Sequence, residues 1–172
     1  LTIMQQKFRV LQQIPVKKDD LFFIEAGTVH AIGKGALIAE IQQNSNCTYR
    51  VYDYGRVGAD GKPRELHIKK AVDVSKTVPP THDIKPMGET VKKNGYDEQL
   101  ITKCDLFNVK RFEVKEFVEL STSEESFMHI LVINGEGTVN SRPAKKGDSF
   151  LVPANYEKFA IKGNIEFLAT TI

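Results

Sequence analysis

The stretch KKGDSFLVPA at residues 145–154 decides the fold, because it joins a turn signal to a short strand signal. Its Gly-Asp pair is typical of a tight turn, and the run from Ser149 to Val152 favours a strand that Pro153 closes. Similar runs lie on both sides of it, at Leu106–Leu120, Phe127–Ile133, Gly137–Asn140, Lys158–Ile161 and Ile165–Ile172. Short strands separated by turn signals predict an antiparallel sandwich or barrel.

The same pattern occurs near the start of the chain. KKDDLFFIEA at residues 17–26 aligns with residues 145–154 at an offset of 128, from 17 to 145, and five positions are identical. Further strands are predicted in this region at Leu21–Ile24, Val29–Ile32, Ala36–Gln42 and Tyr49–Tyr54. Because a turn followed by four apolar residues is a common hairpin pattern, duplication and chance are equal alternatives at this point.

The residues outside these runs predict two short helices and a linker. Thr2–Gln13 has apolar residues at helical spacing, and Arg64–Lys76 follows Pro63, a residue that suits the first position of a helix. The segment from Lys76 to Gln99 holds three prolines and little apolar periodicity. We therefore expect a first β unit at 1–75, a linker at 76–99 and a second β unit at 100–172.

Composition excludes several classes of protein. The 24 Lys and Arg residues nearly balance the 22 Asp and Glu residues, for a net charge of +2, which argues against a nucleic-acid binder. With 41% hydrophobic residues the chain can form a core, yet no apolar run approaches the roughly 20 residues that span a bilayer. Cys47 and Cys104 lack CxxC spacing, which fits a reducing compartment. We expect a cytoplasmic protein without nucleic-acid or membrane partners.

The residues between 30 and 54 predict one polar face. If the loop at 33–35 closes a hairpin, strand alternation places Glu40 on the same face as His30, and Arg50 lies on a polar face of the next strand. Because burying such groups unpaired is costly, this face should line a water-filled cavity. On pattern alone, His30 is more simply a hydrogen-bonded histidine at a strand end, and a metal ligand is the alternative. Glu40 and Arg50 likewise fit an internal salt bridge as well as a catalytic role.

The segment EAGTVH at residues 25–30 resembles the second metal motif of the cupin β-barrels, in which a glycine turn precedes a ligand histidine by three residues. The related stretch at 145–154 leads instead to Lys158 at the position of His30. Met128 occupies the place of the glutamate in the other cupin metal motif. The resemblance implies a mainly β protein with two cupin-type jelly-roll units, of which the second binds no metal.

Four stretches together carry a more specific resemblance. FIEAGTVHAIGKG at 23–35, IAEIQQNS at 38–45, TYRVYDY at 48–54 and RELHI at 64–68 closely resemble the type I mannose-6-phosphate isomerases, in the form found in many bacteria. This match runs from about Val16 to Val74. The remainder resembles the less distinctive C-terminal cupin of the same family.

The resemblance implies a function and a set of site residues. The family interconverts mannose 6-phosphate and fructose 6-phosphate, so the expected partner is a phosphorylated hexose. It does so at one zinc ion held by a Gln, two His and a Glu, and His30 matches the last of these ligands. Arg50 matches the active-site arginine, and Glu40 matches an acidic position in the same cleft.

The departure from the family is also informative. The 29 residues before His30 contain no histidine, so the other zinc ligands are not found there. We therefore expect a C-terminal portion of the enzyme that is inactive alone, with an incomplete first barrel whose exposed sheet edge favours a homodimer. The alternatives are a non-enzymatic bicupin module for sugar binding or regulation, and a cupin oxygenase or epimerase that uses iron or manganese.

Overall fold

A computed structural model describes residues 11–45, 47–79 and 81–172 and divides the chain into two compact units. The first unit ends at His82, and the second is Asp83–Ile172. The described residues are mainly β with one short helix, α1 (Ile68–Val74), which confirms the expected class of fold. The helix predicted over Thr2–Gln13 lies outside the described residues except for residues 11–13, which are not helical. Over the described ranges, no helix is both long enough and apolar enough to cross a bilayer.

The second unit is an eight-stranded antiparallel sheet. In chain order its strands are β1 (Thr90–Lys93), β2 (Tyr96–Lys103), β3 (Asn108–Val114), β4 (Phe117–Leu120), β5 (Met128–Val139), β6 (Arg142–Lys145), β7 (Ser149–Val152) and β8 (Phe159–Thr171). The main path runs β1-β2-β3-β8-β5-β6, with β4 paired to β8 and β7 paired to β5. The two longest strands, β5 and β8, therefore hold the sheet together.

Both long strands change partners along their length. β8 pairs with β4 at Phe159–Lys162 and with β3 at Ile165–Thr171. On one side, β5 pairs first with β7 and then with β6. On its other side, β5 pairs with β8 along most of its length. This exchange of neighbours lets a single sheet enclose one core.

Two glycines allow the backbones of β5 and β8 to approach closely where the two strands pair. Gly137 pairs with Gly163, and a Cβ atom on Gly137 would lie 2.1 Å from the carbonyl oxygen of Lys162. Gly163 has φ +112, a conformation that residues with a Cβ rarely adopt. Larger residues at either position would separate the two strands that carry the sheet.

The core of the second unit consists of hydrophobic side chains. Phe112 and Phe167 stack with ring centroids 5.0 Å apart and planes 10° apart. Ile130, Ile161 and Val114 are fully buried around them. Burial at this level stabilises a fold by about 1.5–3 kcal/mol for each large apolar side chain.

Most strands of the second unit agree with the sequence pattern, and β1, β2 and β6 differ. The hairpin of β1 and β2 begins inside the segment 76–99 that was predicted to be a linker. The sequence of β1, TVKK, has no apolar alternation to indicate a strand, and all four residues are exposed. The hairpin turns at Gly95, which has φ +86.

The first unit differs from the prediction over its strands. Within residues 11–45 and 47–79, the four segments predicted as strands between Leu21 and Tyr54 form no regular strands. Their sequence has the alternation of strands, but a strand also requires a hydrogen-bonded neighbour, and these described residues provide none. The only described bridge in this region joins Val57 and Pro63.

The two related sequences nevertheless make the same turn. Asp20 accepts a hydrogen bond from the backbone N–H of Lys17 at 2.9 Å, and Asp148 accepts the same bond from Lys145 at 2.9 Å. Each aspartate also donates its backbone N–H to the carbonyl of that lysine. At the same offset of 128, positive φ angles recur at Asp19 and Gly147, and at Gly27 and Asn155. The turns match in conformation as well as in sequence.

Helix α1 is shorter than the predicted Arg64–Lys76. The carbonyl of Glu65 accepts a bond from the Arg50 side chain, and the N–H of His67 donates to the Arg50 carbonyl at 2.7 Å. The helix begins at Ile68, after the carbonyl of His67 has accepted the N–H of Ala71 at 2.8 Å. Its C-terminus is closed by Ser75, whose N–H and hydroxyl both donate to the carbonyl of Ala71.

Candidate functional site

The turn that precedes His30 is held by an acidic side chain. Glu25 accepts hydrogen bonds from Lys76 Nζ and Thr81 Oγ1, each at 2.7 Å, and its Oε1 lies 3.3 Å from His82 Nδ1. The hydrogen bond from Lys76 is the largest cause that lowers the pKa of Glu25 from 4.5 to about 2, with Thr81 next. Glu25 is therefore charged at neutral pH and ties the turn to the residues after α1.

Gly27 allows the same turn to lie directly against the end of α1. It has φ +87, and a Cβ atom there would lie 2.6 Å from the carbonyl oxygen of Val74. Its own carbonyl accepts the N–H of Lys76 at 2.9 Å. Side-chain and backbone contacts with Lys76 thus fix the turn from which His30 extends.

His30 is exposed and bonds within its own turn. Its Nδ1 lies 2.9 Å from the carbonyl oxygen of Thr28. Because a carbonyl oxygen can only accept, Nδ1 carries the hydrogen, and the neutral ring keeps a lone pair on Nε2. Metal-binding histidines are commonly oriented in this way, with one ring N–H donated to a carbonyl and the other nitrogen facing the metal.

Arg50 is held at both its backbone and its side chain. Its N–H donates to His67 Nδ1 at 3.2 Å, and its carbonyl accepts the N–H of His67. Its Nη1 donates to the carbonyl of Glu65 at 3.1 Å, and its Nε lies 3.6 Å from Asp53 Oδ1. The side chain is only 22% exposed.

Asp53 links Arg50 to a second arginine. Arg64 Nε donates to Asp53 Oδ2 at 2.6 Å, and Arg64 Nη2 donates to Asp53 Oδ1. The hydrogen bond from Arg64 lowers the pKa of Asp53, and the charges of Arg64, Arg50 and Arg56 add to the effect. We call Arg50, Asp53, Arg64 and His67 the Arg50 cluster.

The three predicted site residues are not joined directly. Glu40 is exposed, and over the described part of the chain no hydrogen bond or ion pair connects His30, Glu40 and Arg50 to one another. The structure brings Arg50 together with Asp53, Arg64 and His67 instead. The roles predicted for His30, Glu40 and Arg50 stay predictions.

Sequence reasoning missed several of these contacts. The sequence singled out neither His67 nor His82. The side chain of His67 is 19% exposed and contacts Arg50, and the ring of His82 lies 4.5 Å from the ring of Phe23. The spacing between Asp53 and Arg64 follows no helix or strand period. The available signal was that Asp53 and Arg64, which carry opposite charges, lie on either side of a loop that contains Gly58 and Gly61.

The described residues supply one suitable zinc ligand but not a set. His30 presents Nε2 as a zinc ligand requires, whereas structural and catalytic zinc sites use three or four protein ligands. Among the residues that the structure describes, no three His, Cys, Asp or Glu side chains are grouped to hold a metal ion. Taken alone, these residues do not fit a zinc site.

Comparison with known proteins connects both units to one family. A family model described as the cupin domain of mannose-6-phosphate isomerase matches residues 97–172. The mannose-6-phosphate isomerase ManA of Bacillus subtilis is 38% identical over 170 residues, which cover 94% of this chain and 51% of ManA. The mannose-6-phosphate isomerase of Streptococcus mutans is 30% identical over 165 residues, with 94% of this chain and 51% of that protein covered. Over most of its own length, the chain is similar to the mannose-6-phosphate isomerases.

A solved structure supports the same assignment. The crystal structure of the mannose 6-phosphate isomerase from Bacillus subtilis aligns with 76% of this chain and 42% of its own, at 34% identity and a TM-score of 0.65. The predicted resemblance to the mannose-6-phosphate isomerases is confirmed. The chain spans about half the length of the curated mannose-6-phosphate isomerases that it matches.

Proposed function

We propose that this chain contributes His30, Glu40 and Arg50 to a site that interconverts mannose 6-phosphate and fructose 6-phosphate. The observation that carries the proposal is the 38% identity to Bacillus subtilis ManA across 94% of the chain, a range that includes all three residues. The orientation of His30 and the restrained guanidinium of Arg50 agree with it.

The chemistry assigns a role to each residue. Aldose–ketose isomerisation moves a proton between adjacent carbons through an enediol, so negative charge develops on an oxygen. Arg50 has N–H groups that bind such an oxygen, or another anionic group of the substrate, by charge-assisted hydrogen bonds. Glu40 is the acidic group that we place in the same cleft.

We extend the proposal to zinc and to the fold. A zinc ion bound in the complete site would stabilise developing negative charge, with His30 as one ligand and the others outside the described residues. The chain alone is then inactive. The matching turns at Asp20 and Asp148 support two related cupin-type units. The isomerase would act in the cytoplasm on a phosphorylated hexose.

A hybrid enzyme tests the proposal. In the hybrid, this chain replaces the matching half of Bacillus subtilis ManA, and fructose 6-phosphate formation from mannose 6-phosphate is measured. We expect turnover by the hybrid and none by the 172-residue chain alone. Arg50→Lys, Glu40→Gln and His30→Ala should each reduce kcat/KM in the hybrid. Lys34→Gln, at the exposed tip of the loop after His30, is the control and should have no effect.

The outcomes separate the rival functions. A folded hybrid without turnover that still binds a hexose phosphate would favour a non-enzymatic sugar-binding module. Turnover supported by iron or manganese and not by zinc would overturn the proposed cofactor. Turnover that survives Arg50→Lys and Glu40→Gln would overturn the residue assignment while leaving the substrate intact.

A further inference from the structure

We propose that Asp53, Arg64 and His67 are positioning residues that hold Arg50 with Nη2 of its guanidinium directed to an anionic substrate oxygen. The inference rests on the proposed function for its substrate, because the anion is taken to belong to a hexose phosphate. The contacts that carry it lie within the first unit and involve only described residues.

Two of the three nitrogens of the Arg50 guanidinium already face acceptors of the protein. Nη1 donates to the carbonyl of Glu65, and Nε faces the carboxylate of Asp53. Within the described ranges, Nη2 has no acceptor from the protein. Because guanidinium is planar and presents its N–H groups in a fixed fork, fixing Nε and Nη1 also sets the direction of Nη2.

Arg64 fixes the carboxylate that orients Arg50. Both oxygens of Asp53 accept from Arg64, through Nε and Nη2, so the carboxylate cannot rotate freely about its Cβ–Cγ bond. The Asp53 side chain is 11% exposed, which limits competition from water. Arg64 therefore acts on Arg50 through Asp53.

The cluster also carries the charge that an anion requires. The carboxylate of Asp53 interacts with three positive charges, those of Arg50, Arg56 and Arg64. One negative charge among three positive charges leaves an excess of positive charge around it. A local excess of one sign attracts a ligand of the opposite sign. Sugar phosphates are anionic throughout the neutral range, so the charge of the cluster suits this class of substrate.

His67 fixes the backbone of Arg50 on both sides. Its Nδ1 accepts the N–H of Arg50, and its own N–H donates to the carbonyl of Arg50. Because Nδ1 acts as an acceptor, the hydrogen of the neutral ring lies on Nε2. An asparagine at position 67 could replace this acceptor with its side-chain oxygen, whereas a leucine could not.

The first experiment measures the order of Arg50 without any substrate. In the 172-residue chain, the side-chain N–H signals of Arg50 are recorded by ¹⁵N NMR and assigned by their loss in Arg50→Lys. We expect resolved, slowly exchanging signals that are lost in Asp53→Asn, Arg64→Gln and His67→Leu and retained in His67→Asn. Asp20→Asn removes a carboxylate paired with Lys17 in the same unit and is the matched control. Arg50 signals unchanged in Asp53→Asn would overturn the positioning role.

The second experiment measures the consequence in the hybrid enzyme. Misplacement of a substrate-binding group by about 1 Å can cost about a hundredfold in rate, so Asp53→Asn should lower kcat/KM by about tenfold to a hundredfold. If Asp53 acts through Arg50, the same change in an Arg50→Lys background should have little further effect. Equal losses in both backgrounds would indicate a merely structural role and overturn the inference.

The two experiments distinguish failure of the inference from failure of the proposed function. A hybrid without isomerase turnover would overturn the proposed function, and the NMR comparison would still decide whether Asp53, Arg64 and His67 order Arg50. An active hybrid with unchanged kcat/KM in Asp53→Asn would overturn the inference and leave the proposed function intact.

Discussion

Lys76 donates a hydrogen bond to Glu25 at 2.7 Å across 51 residues of sequence, and so joins the turn before His30 to the segment after α1. The two segments also share a backbone bond between Lys76 and Gly27. Because His30 follows this turn by only a few residues, the pair contributes to the position of the predicted ligand.

The first prediction concerns acid sensitivity of this contact. The pKa of Glu25 is lowered to about 2 from 4.5, so its stabilising contribution is present above pH 4.5 and is lost as the pH falls towards 2. The amide signal of Gly27 should report a titration with a midpoint near pH 2, and Lys76→Gln should move that midpoint towards 4.5. A midpoint near 4.5 in the unmodified chain would contradict the contact.

The second prediction concerns the close approach at Gly27. An alanine there would have to adopt φ +87, at a cost of about 1–2 kcal/mol, and would also collide with the carbonyl of Val74. Gly55→Ala is the matched control, because Gly55 has φ +70 but no atom within 4 Å of the added Cβ. We expect Gly27→Ala to lower the free energy of unfolding by about 1–3 kcal/mol more than Gly55→Ala, measured by denaturant titration. Equal losses would show that no such approach exists.

The second unit shows where sequence patterns succeed. The turn at Asp148 and the run after it predicted β7 because the signals are local, in a turn residue and a few strand-forming side chains. β6 was not predicted, because it holds Pro143 and only one buried residue, Ala144. Local patterns report a strand best when one of its faces is buried.

The first unit shows where sequence patterns fail. The contacts of Arg50 join residues separated by 15 and 17 positions at no regular period, so no periodicity indicates them. His30 and Arg50 could be selected only by resemblance to a family, since either residue alone has a common structural use. The partners that hold them follow from tertiary contacts and required the structure.

The third prediction tests the core of the second unit. Phe167 is fully buried and stacks on Phe112, so Phe167→Ala should lower the free energy of unfolding by about 3–5 kcal/mol. Phe117→Ala makes the same chemical change at a side chain that is 49% exposed and should cost less than about 1 kcal/mol. Thermal unfolding monitored by circular dichroism compares the two. Similar losses would mean that Phe167 is not part of a packed core.

The fourth prediction concerns zinc. Because the described residues group no three suitable donors, the 172-residue chain should bind zinc weakly, and His30→Ala should change that affinity little. In the hybrid with Bacillus subtilis ManA, one zinc ion should bind, and His30→Ala should weaken it by more than about a hundredfold, since loss of a mere supporting contact costs 10–100-fold. Competition with a coloured chelator measures both affinities. Tight, stoichiometric zinc on the 172-residue chain that survives His30→Ala would place the metal elsewhere and remove His30 from the site.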